Sequence, residues 1–173
     1  MPSTQQLAEA EVELYDMPNR EYRLRDALAP LHEHYDYILL DCPPALGNIT
    51  INALTTANAV IVPMQCEFYS LEGVQQLTNT VDAIRKTWNP TLDIMGVLLT
   101  MYDKRNSLTR AVEEEIRNTF GERAFKTVIP RNVRVSEAPS HGKPALFYDF
   151  NSPGAQAYLR VATEVIERTE QGE

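Results

Sequence analysis

Glycine is scarce in this chain, with seven residues in 173. A phosphate-cradling loop of the form G-x-x-x-x-G-K-[ST] needs glycines whose backbone N–H groups face the anion, followed by a lysine. The one Gly-Lys pair, Gly142-Lys143, is followed by Pro144 and has Glu137 where the loop needs its first glycine. The sequence therefore holds no such loop. Cysteine is scarcer still. Cys42 and Cys66 form no Cys-x-x-Cys pair, which argues against a disulfide framework or a self-contained zinc site and for two reduced thiols. The three histidines, His32, His34 and His141, lack a carboxylate at ligand spacing. No run of about 18 apolar residues occurs, and the opening MPSTQQLAEAEVEL has neither the basic start nor the apolar stretch of a signal peptide. The expected location is the cytoplasm, with no membrane partner.

What is present is enough for a core. With 43% hydrophobic and 23% charged residues, the chain is expected to form a single domain over residues 1–173. A net charge of −8 argues against a surface that coats nucleic acid everywhere, so any such contact must be local. The charge is unevenly spread. From Lys104 to Lys143 there are nine Lys or Arg against five acids, a local +4, and the remainder carries −12. Such asymmetry suits a phosphate-binding face on an acidic protein, and equally a solvated helix face with pairs such as Glu113-Arg117.

Helical periodicity is predicted at Arg20–His32, Ile49–Asn58, Leu71–Trp88, Leu108–Phe120 and Gly154–Arg168. Between these lie the β-rich runs YDYILLD, AVIVPMQ, IMGVLLTM and FKTVIP, apolar nearly throughout, as strands buried on both faces read. Asn89-Pro90 closes the central helix, and Ser152-Pro153 supplies an N-cap and first-turn proline for the last. The fold class is α/β, a mostly parallel sheet flanked by helices.

Ligands of open parallel sheets sit beyond the carboxyl ends of the strands. There the sequence places Asp41-Cys42-Pro43-Pro44, Gln65-Cys66-Glu67, Thr100-Met101-Tyr102-Asp103 and Pro130-Arg131-Asn132. An acid ending a buried strand can hold the shell of a magnesium ion, or merely cap a turn. The stiff Pro43-Pro44 pair with Gly47 behind it favours a segment that responds to phosphate.

The stretches YDYILLDCPPALGNITINALTTANAVIVPMQCEFYSLEG, LLTMYDKRNSL and VIPRNVRVSEAPSHGKPALFYD resemble the ParA/Soj family, the deviant-Walker partitioning ATPases of the MinD/ParA superfamily. The resemblance runs from about residue 3 to about residue 168. It implies a P-loop NTPase-like fold, ATP and magnesium as cofactors, an ATP-dependent homodimer, DNA binding without sequence preference on the nucleoid, and a ParB-type protein partner that stimulates hydrolysis. Residue by residue, it implies that Asp41 holds magnesium through water, that Asp41, Pro43, Pro44 and Gly47 form switch II, and that Met101, Pro130, Arg131 and Asn132 contact the nucleotide. Lys104, Arg105 and Arg134 are implied in DNA binding.

The family's K-G-G-x-G-K-T loop and D-x-D-P-Q switch I segment have no counterpart here. The resemblance thus implies a carboxy-terminal portion of a ParA-type ATPase domain, missing the amino-terminal phosphate-loop strand and not expected to hydrolyse ATP alone. Loss of that strand is expected to leave an unpaired edge beside the strand that carries Asp41. The alternative is a non-catalytic regulatory or dimerisation module. Two siblings fit less well: a MinD-like membrane-associated ATPase should end in a basic amphipathic helix, whereas YLRVATEVIERTEQGE is mixed and mostly acidic, and a cluster-binding reductase needs cysteines in glycine-rich contexts.

Overall fold

The computed structural model describes residues 6–43, 45–66 and 70–170. In chain order the elements are α1 (Gln6–Glu13), α2 (Arg23–Leu28), α3 (Asn48–Thr56), β1 (Ala59–Gln65), α4 (Ser70–Thr87), β2 (Asp93–Thr100), α5 (Ser107–Phe120), α6 (Val133–Glu137), α7 (Ala145–Tyr148) and α8 (Pro153–Glu170), with short 3-10 turns between some of them. The class is α/β, as expected. Helices α3, α4, α5 and α8 begin and end within two residues of the predicted spans. Caps explain where α5 and α8 start: Asn106 Oδ1 accepts from the Leu108 N–H at 2.9 Å, and Ser152 Oγ accepts from the Ala155 N–H at 3.3 Å. The helix expected over Arg20–His32 is instead a 3-10 turn, α2 and a second 3-10 turn containing Pro30.

Two compact units emerge, one from the described residues of Met1–Val60 and Thr78–Asp93, the other from those of Ile61–Leu77 and Ile94–Glu173. In the first, α3 is held by polar side chains supplied from a distance in sequence. Glu11 on α1 accepts from the N–H groups of Asn48 and Ile49 at 2.5 and 3.0 Å, while Asn48 Nδ2 donates to the Glu11 carbonyl at 3.0 Å. These are orphan donors of the first turn, and a carboxylate there also faces the positive end of the helix dipole. Gly47 permits the approach, since a Cβ at that position would fall 2.3 Å from Glu11 Oε1. At the other end, buried Asn89 donates to the carbonyls of Leu54 and Ala57 at 3.0 and 2.8 Å. Asn52, also buried, donates to Arg20 O at 2.7 Å and accepts from the Leu24 N–H at 3.1 Å. Val81, Ile84 and Leu92 are buried alongside Ala53 and Leu54.

One expectation fails in this unit. The run Tyr35–Asp41, read as the first strand, joins no β-ladder among the described residues, and Tyr35 and Leu39 are 61% and 84% exposed. An extended apolar run is stable as a strand only when a neighbour takes its N–H and C=O groups and an element covers its face. Its composition cannot supply either.

The second unit contains the paired stretch of β1 and β2, with Thr100 Oγ1 bonded to Met64 O at 3.2 Å. On the far side of β2, the run expected as a fourth strand pairs only through parallel bridges at Val97–Ala124 and Tyr102–Pro130. Phe125 N donates to Val97 O at 2.9 Å, but the next donor, to Leu99 O at 2.8 Å, is Ile129. Regular parallel pairing advances two residues on each strand. Here the outer run advances four, so it bulges by two. The cause lies on α8: Glu164 accepts the N–H groups of Lys126 at 2.8 Å and Thr127 at 3.0 Å, drawing them away from the ladder. Burial alone raises the Glu164 carboxyl, but these two N–H groups and Arg168 outweigh it and hold the group below the usual carboxylate range. Arg168 also donates to Met95 O and Ala124 O at 2.9 and 3.1 Å and lies 4.3 Å over the Phe125 ring. Leu98, Phe125, Ile129, Ala157 and Val161 form the core beneath, which fixes α8 on the sheet. Burial of a side chain such as Phe125 stabilises the fold by about 2 to 3 kcal/mol.

Candidate nucleotide and phosphate site

Beyond the carboxyl end of β2 the backbone turns sharply. Met101 takes a φ of 52°, in the left-handed region that glycine favours. The turn then stitches two strand ends together: Tyr102 N donates to Ile129 O at 3.0 Å, and Arg131 N donates to Tyr102 O at 3.1 Å. Asn132 caps α6 by accepting from the Val135 N–H at 3.3 Å. Gly154 on α8 keeps this turn close, because a Cβ there would lie 2.4 Å from Val135 Cγ2 and 3.0 Å from Asn132 Cβ.

The result is a cleft of about 550 Å³. Tyr102, Asp103, Lys104 and Arg105 line it from the end of β2, Val128, Pro130 and Arg131 from the outer run, and Pro153, Gln156 and Arg160 from α8. Four cations face one acid. That acid is already engaged: Asp103 Oδ1 accepts from Arg105 Nε at 3.2 Å and from the Arg105 N–H at 3.0 Å, which holds its carboxyl below the usual range. Arg105 remains 91% exposed. The side chains of Lys104, Arg131 and Arg160 make no hydrogen bond or ion pair among the described residues.

Behind the cleft, the Tyr102 hydroxyl donates to Glu113 on α5, and Arg117 pairs with the same carboxylate at 2.8 Å. Arg117 reaches on to the carbonyls of Phe125 and Lys126 at 3.3 and 3.4 Å. The bond to Glu113 raises the Tyr102 phenol. Burial raises the Glu113 carboxyl, yet Tyr102 and Arg117 bring it below its ordinary value. Cys66, buried at the end of β1, is pushed up to about 11 by burial and by the Glu113 charge.

Four of the anticipated residues thus share one cleft: Lys104, Arg105, Pro130 and Arg131. Met101 precedes the lining and Asn132 caps the helix that follows it. Arg134 does not line the cleft; on α6 it pairs with Glu137 at 3.0 Å and Asp149 at 3.5 Å. Asp41 and Pro43 are exposed and outside any helix or strand, and Gly47 sits against Glu11 before α3. Pro44, Glu67, Phe68 and Tyr69 lie outside the described residues. No group of three His, Cys, Asp or Glu suited to a metal occurs among the described residues. A single exposed carboxylate such as Asp41 would hold a magnesium ion only as an outer partner through water. Sequence reasoning missed Gln156 and Arg160. The only signal was spacing, since 153, 156 and 160 share one face of a helix.

Comparison with known proteins adds identity to this geometry. A family model described as AAA domain matches residues 1–94. The chain is 50% identical over 168 residues to the chromosome partitioning protein ParA of Myxococcus xanthus, covering 97% of this chain and 59% of that protein. It is 54% identical over 165 residues to the sporulation initiation inhibitor protein Soj of Bacillus subtilis, covering 95% and 65%. The chain therefore spans about three fifths of the length of these curated relatives. Among solved structures, cobyrinic acid a,c-diamide synthase from Mycobacterium smegmatis with bound ATP analog and magnesium is similar at a TM-score of 0.81 and 34% identity, over 99% of this chain and 63% of that one. The chain belongs to the ParA/Soj family of chromosome partitioning proteins.

Proposed function

We propose that this chain serves a ParA/Soj-type partitioning ATPase. In the whole protein, ATP and magnesium drive dimerisation, the dimer binds DNA without sequence preference on the nucleoid in the cytoplasm, and a ParB-type partner stimulates hydrolysis. The observation that carries this reading is the convergence of Pro130 and Arg131 with Lys104 and Arg105 on one cleft. Pro130, Arg131 and Asn132, with Met101, form the wall for the adenine. The magnesium, when bound with ATP, supplies charge neutralisation at the phosphates; Asp41 orients a water of its shell, and Asp41, Pro43, Pro44 and Gly47 act as the segment that senses it. Support for these cofactors comes from the similar solved structure that holds an ATP analog and magnesium. Lys104, Arg105 and Arg134 neutralise backbone phosphates, which position a protein on DNA without specifying sequence.

The test is binding of two unrelated duplexes across a salt series by the whole protein carrying Arg105→Glu or Arg134→Glu. Both substitutions should weaken binding about tenfold, equally for each duplex, and flatten the salt dependence. Unchanged affinity in both would remove the DNA claim.

The alternative reading is a non-catalytic regulatory or dimerisation module. On either reading the chain alone should bind Mg-ATP weakly and not turn it over, because no lysine and glycine N–H groups neutralise the β- and γ-phosphates. Calorimetry with Mg-ATP checks this; micromolar binding or turnover would show that another segment cradles phosphate. A MinD-like membrane-associated ATPase is disfavoured, since α8 buries Ala157 and Val161 in the core together with Glu164.

A further inference from the structure

We propose that Arg160 is the fourth cation of a phosphate-binding cleft, which makes α8 a ligand-recognition element as well as a structural one. The proposal rests on the nucleotide and DNA reading above and deepens it. Arg160 lies outside the basic segment Lys104–Lys143, on a helix whose charges are otherwise mixed, so charge distribution along the sequence hides it. In space it shares the cleft with Lys104, Arg105 and Arg131.

Three arguments converge on phosphate. First, the cleft carries an excess of positive charge. Asp103 is bonded to Arg105 and also lies in the field of Arg131, Lys104 acts at longer range on Glu113, and the side chains of Lys104, Arg131 and Arg160 make no hydrogen bond or ion pair among the described residues. Four cations gathered around one acid raise the local concentration of anions, and in a chain of net −8 this cluster is set against the overall field. Second, the positioning is rigid. One turn beyond Arg160, Glu164 is bonded to Lys126 N and Thr127 N, and one turn further Arg168 is bonded to Met95 O and Ala124 O. The side chain of Arg160 is exposed, but the backbone that carries it is fixed on the sheet. Third, the remaining wall suits the carrier of a phosphate. Tyr102, Val128, Pro130 and Pro153 give an apolar surface within a cavity of nucleotide size. The chemistry recognised is a phosphate group on a nucleotide or on a nucleic-acid backbone. Arg suits it through its planar fork of donors.

The experiment uses the chain with Arg160→Gln, Arg160→Lys and, as a control that removes the same charge elsewhere, Lys86→Gln. Thermal melts establish that all three fold. AMP and adenosine are titrated into the labelled chain and followed by the amide shifts of residues 102–105, 128, 129, 131 and 132. A labelled duplex is followed by anisotropy between ~50 and ~200 mM salt. Arg160→Gln should weaken AMP or duplex binding roughly five- to tenfold, lower the duplex salt slope by about one, and leave adenosine unchanged. Arg160→Lys should restore the salt slope. A loss for AMP alone identifies the mononucleotide as the source of the phosphate, and a loss for the duplex alone identifies nucleic acid. The proposal is overturned if Arg160→Gln matches the parent for both, if adenosine weakens as much as AMP, or if Lys86→Gln weakens binding equally. A parent chain that binds neither AMP nor duplex also overturns the proposal, and leaves standing the partitioning reading, which assigns DNA binding to the ATP-bound dimer of the whole protein.

Discussion

Arg168 stands one helical turn beyond Glu164 on α8, its Nη2 3.0 Å from the carboxylate and both side chains largely withdrawn from solvent. Glu164 thereby completes a set of three donors, two of them backbone N–H groups thirty-seven and thirty-eight residues away. Replacing it with alanine leaves the N–H groups of Lys126 and Thr127 unsatisfied and the guanidinium unpaired. The expected cost is about 3 kcal/mol in urea denaturation.

The same group makes stability pH-dependent with a definite sign. The folded carboxyl lies below its ordinary value of 4.5, so the unfolded chain binds the proton more readily. Its contribution is complete above that value and is lost as pH falls through and below it. Unfolding of Glu164→Gln, measured against pH, should be flatter than the parent in that acidic window; parallel profiles would contradict the assignment.

Asn52 predicts a loss in the first unit. It is 4% exposed and bonded to Arg20 O, Leu24 N and Asn48 O. Asn52→Leu preserves volume but strands a carbonyl and an N–H, and should lower stability by roughly 2 to 3 kcal/mol. Hydrogen exchange should reveal the damage first at the Leu24 amide.

The two thiols should behave differently. Cys66 is buried and pushed up to about 11, so almost none is thiolate near neutral pH. Cys42 is also raised, by burial and the adjacent Asp41 charge, yet it is exposed. Alkylation near pH 8 followed by mass spectrometry of the native chain should label Cys42 and spare Cys66. Equal labelling would mean that β1 opens readily.

Met101 tests the turn that shapes the cleft. A β-branched side chain resists its φ of 52°, so Met101→Val should destabilise by about 1 to 2 kcal/mol, while Met101→Gly should be tolerated. Thermal melts of the two variants separate the cases.

How much of this was legible beforehand depended on how local the cause was. Helices α5 and α8 could be read because Asn106 and Ser152 stand beside the turns they cap. The segment Tyr35–Asp41 has the composition of a strand, but strand formation is a property of a pair, and no residue in the run specifies its partner. The outer run FKTVIP, residues 125–130, reads as a strand; one carboxylate on a helix some 37 residues later diverts its amides. In the site, Pro130, Arg131, Lys104 and Arg105 stood at strand ends where ligands of such folds gather. Arg160 looked like any solvated cation on an amphipathic helix, and only tertiary packing placed it beside the others.

The bulge that Glu164 imposes also governs how this sheet meets other molecules. A regular outer strand presents an unbroken row of donors and acceptors on which another chain can crystallise a ladder. Here two consecutive donors, at Lys126 and Thr127, are already bound to a carboxylate, and the strand direction is broken between Phe125 and Ile129. Edge-to-edge stacking cannot propagate through that point. The vulnerable surface is instead the ladder-free run near Leu39, so self-association on storage should be suppressed by a single charge placed there and left unaltered by changes along the bulged edge.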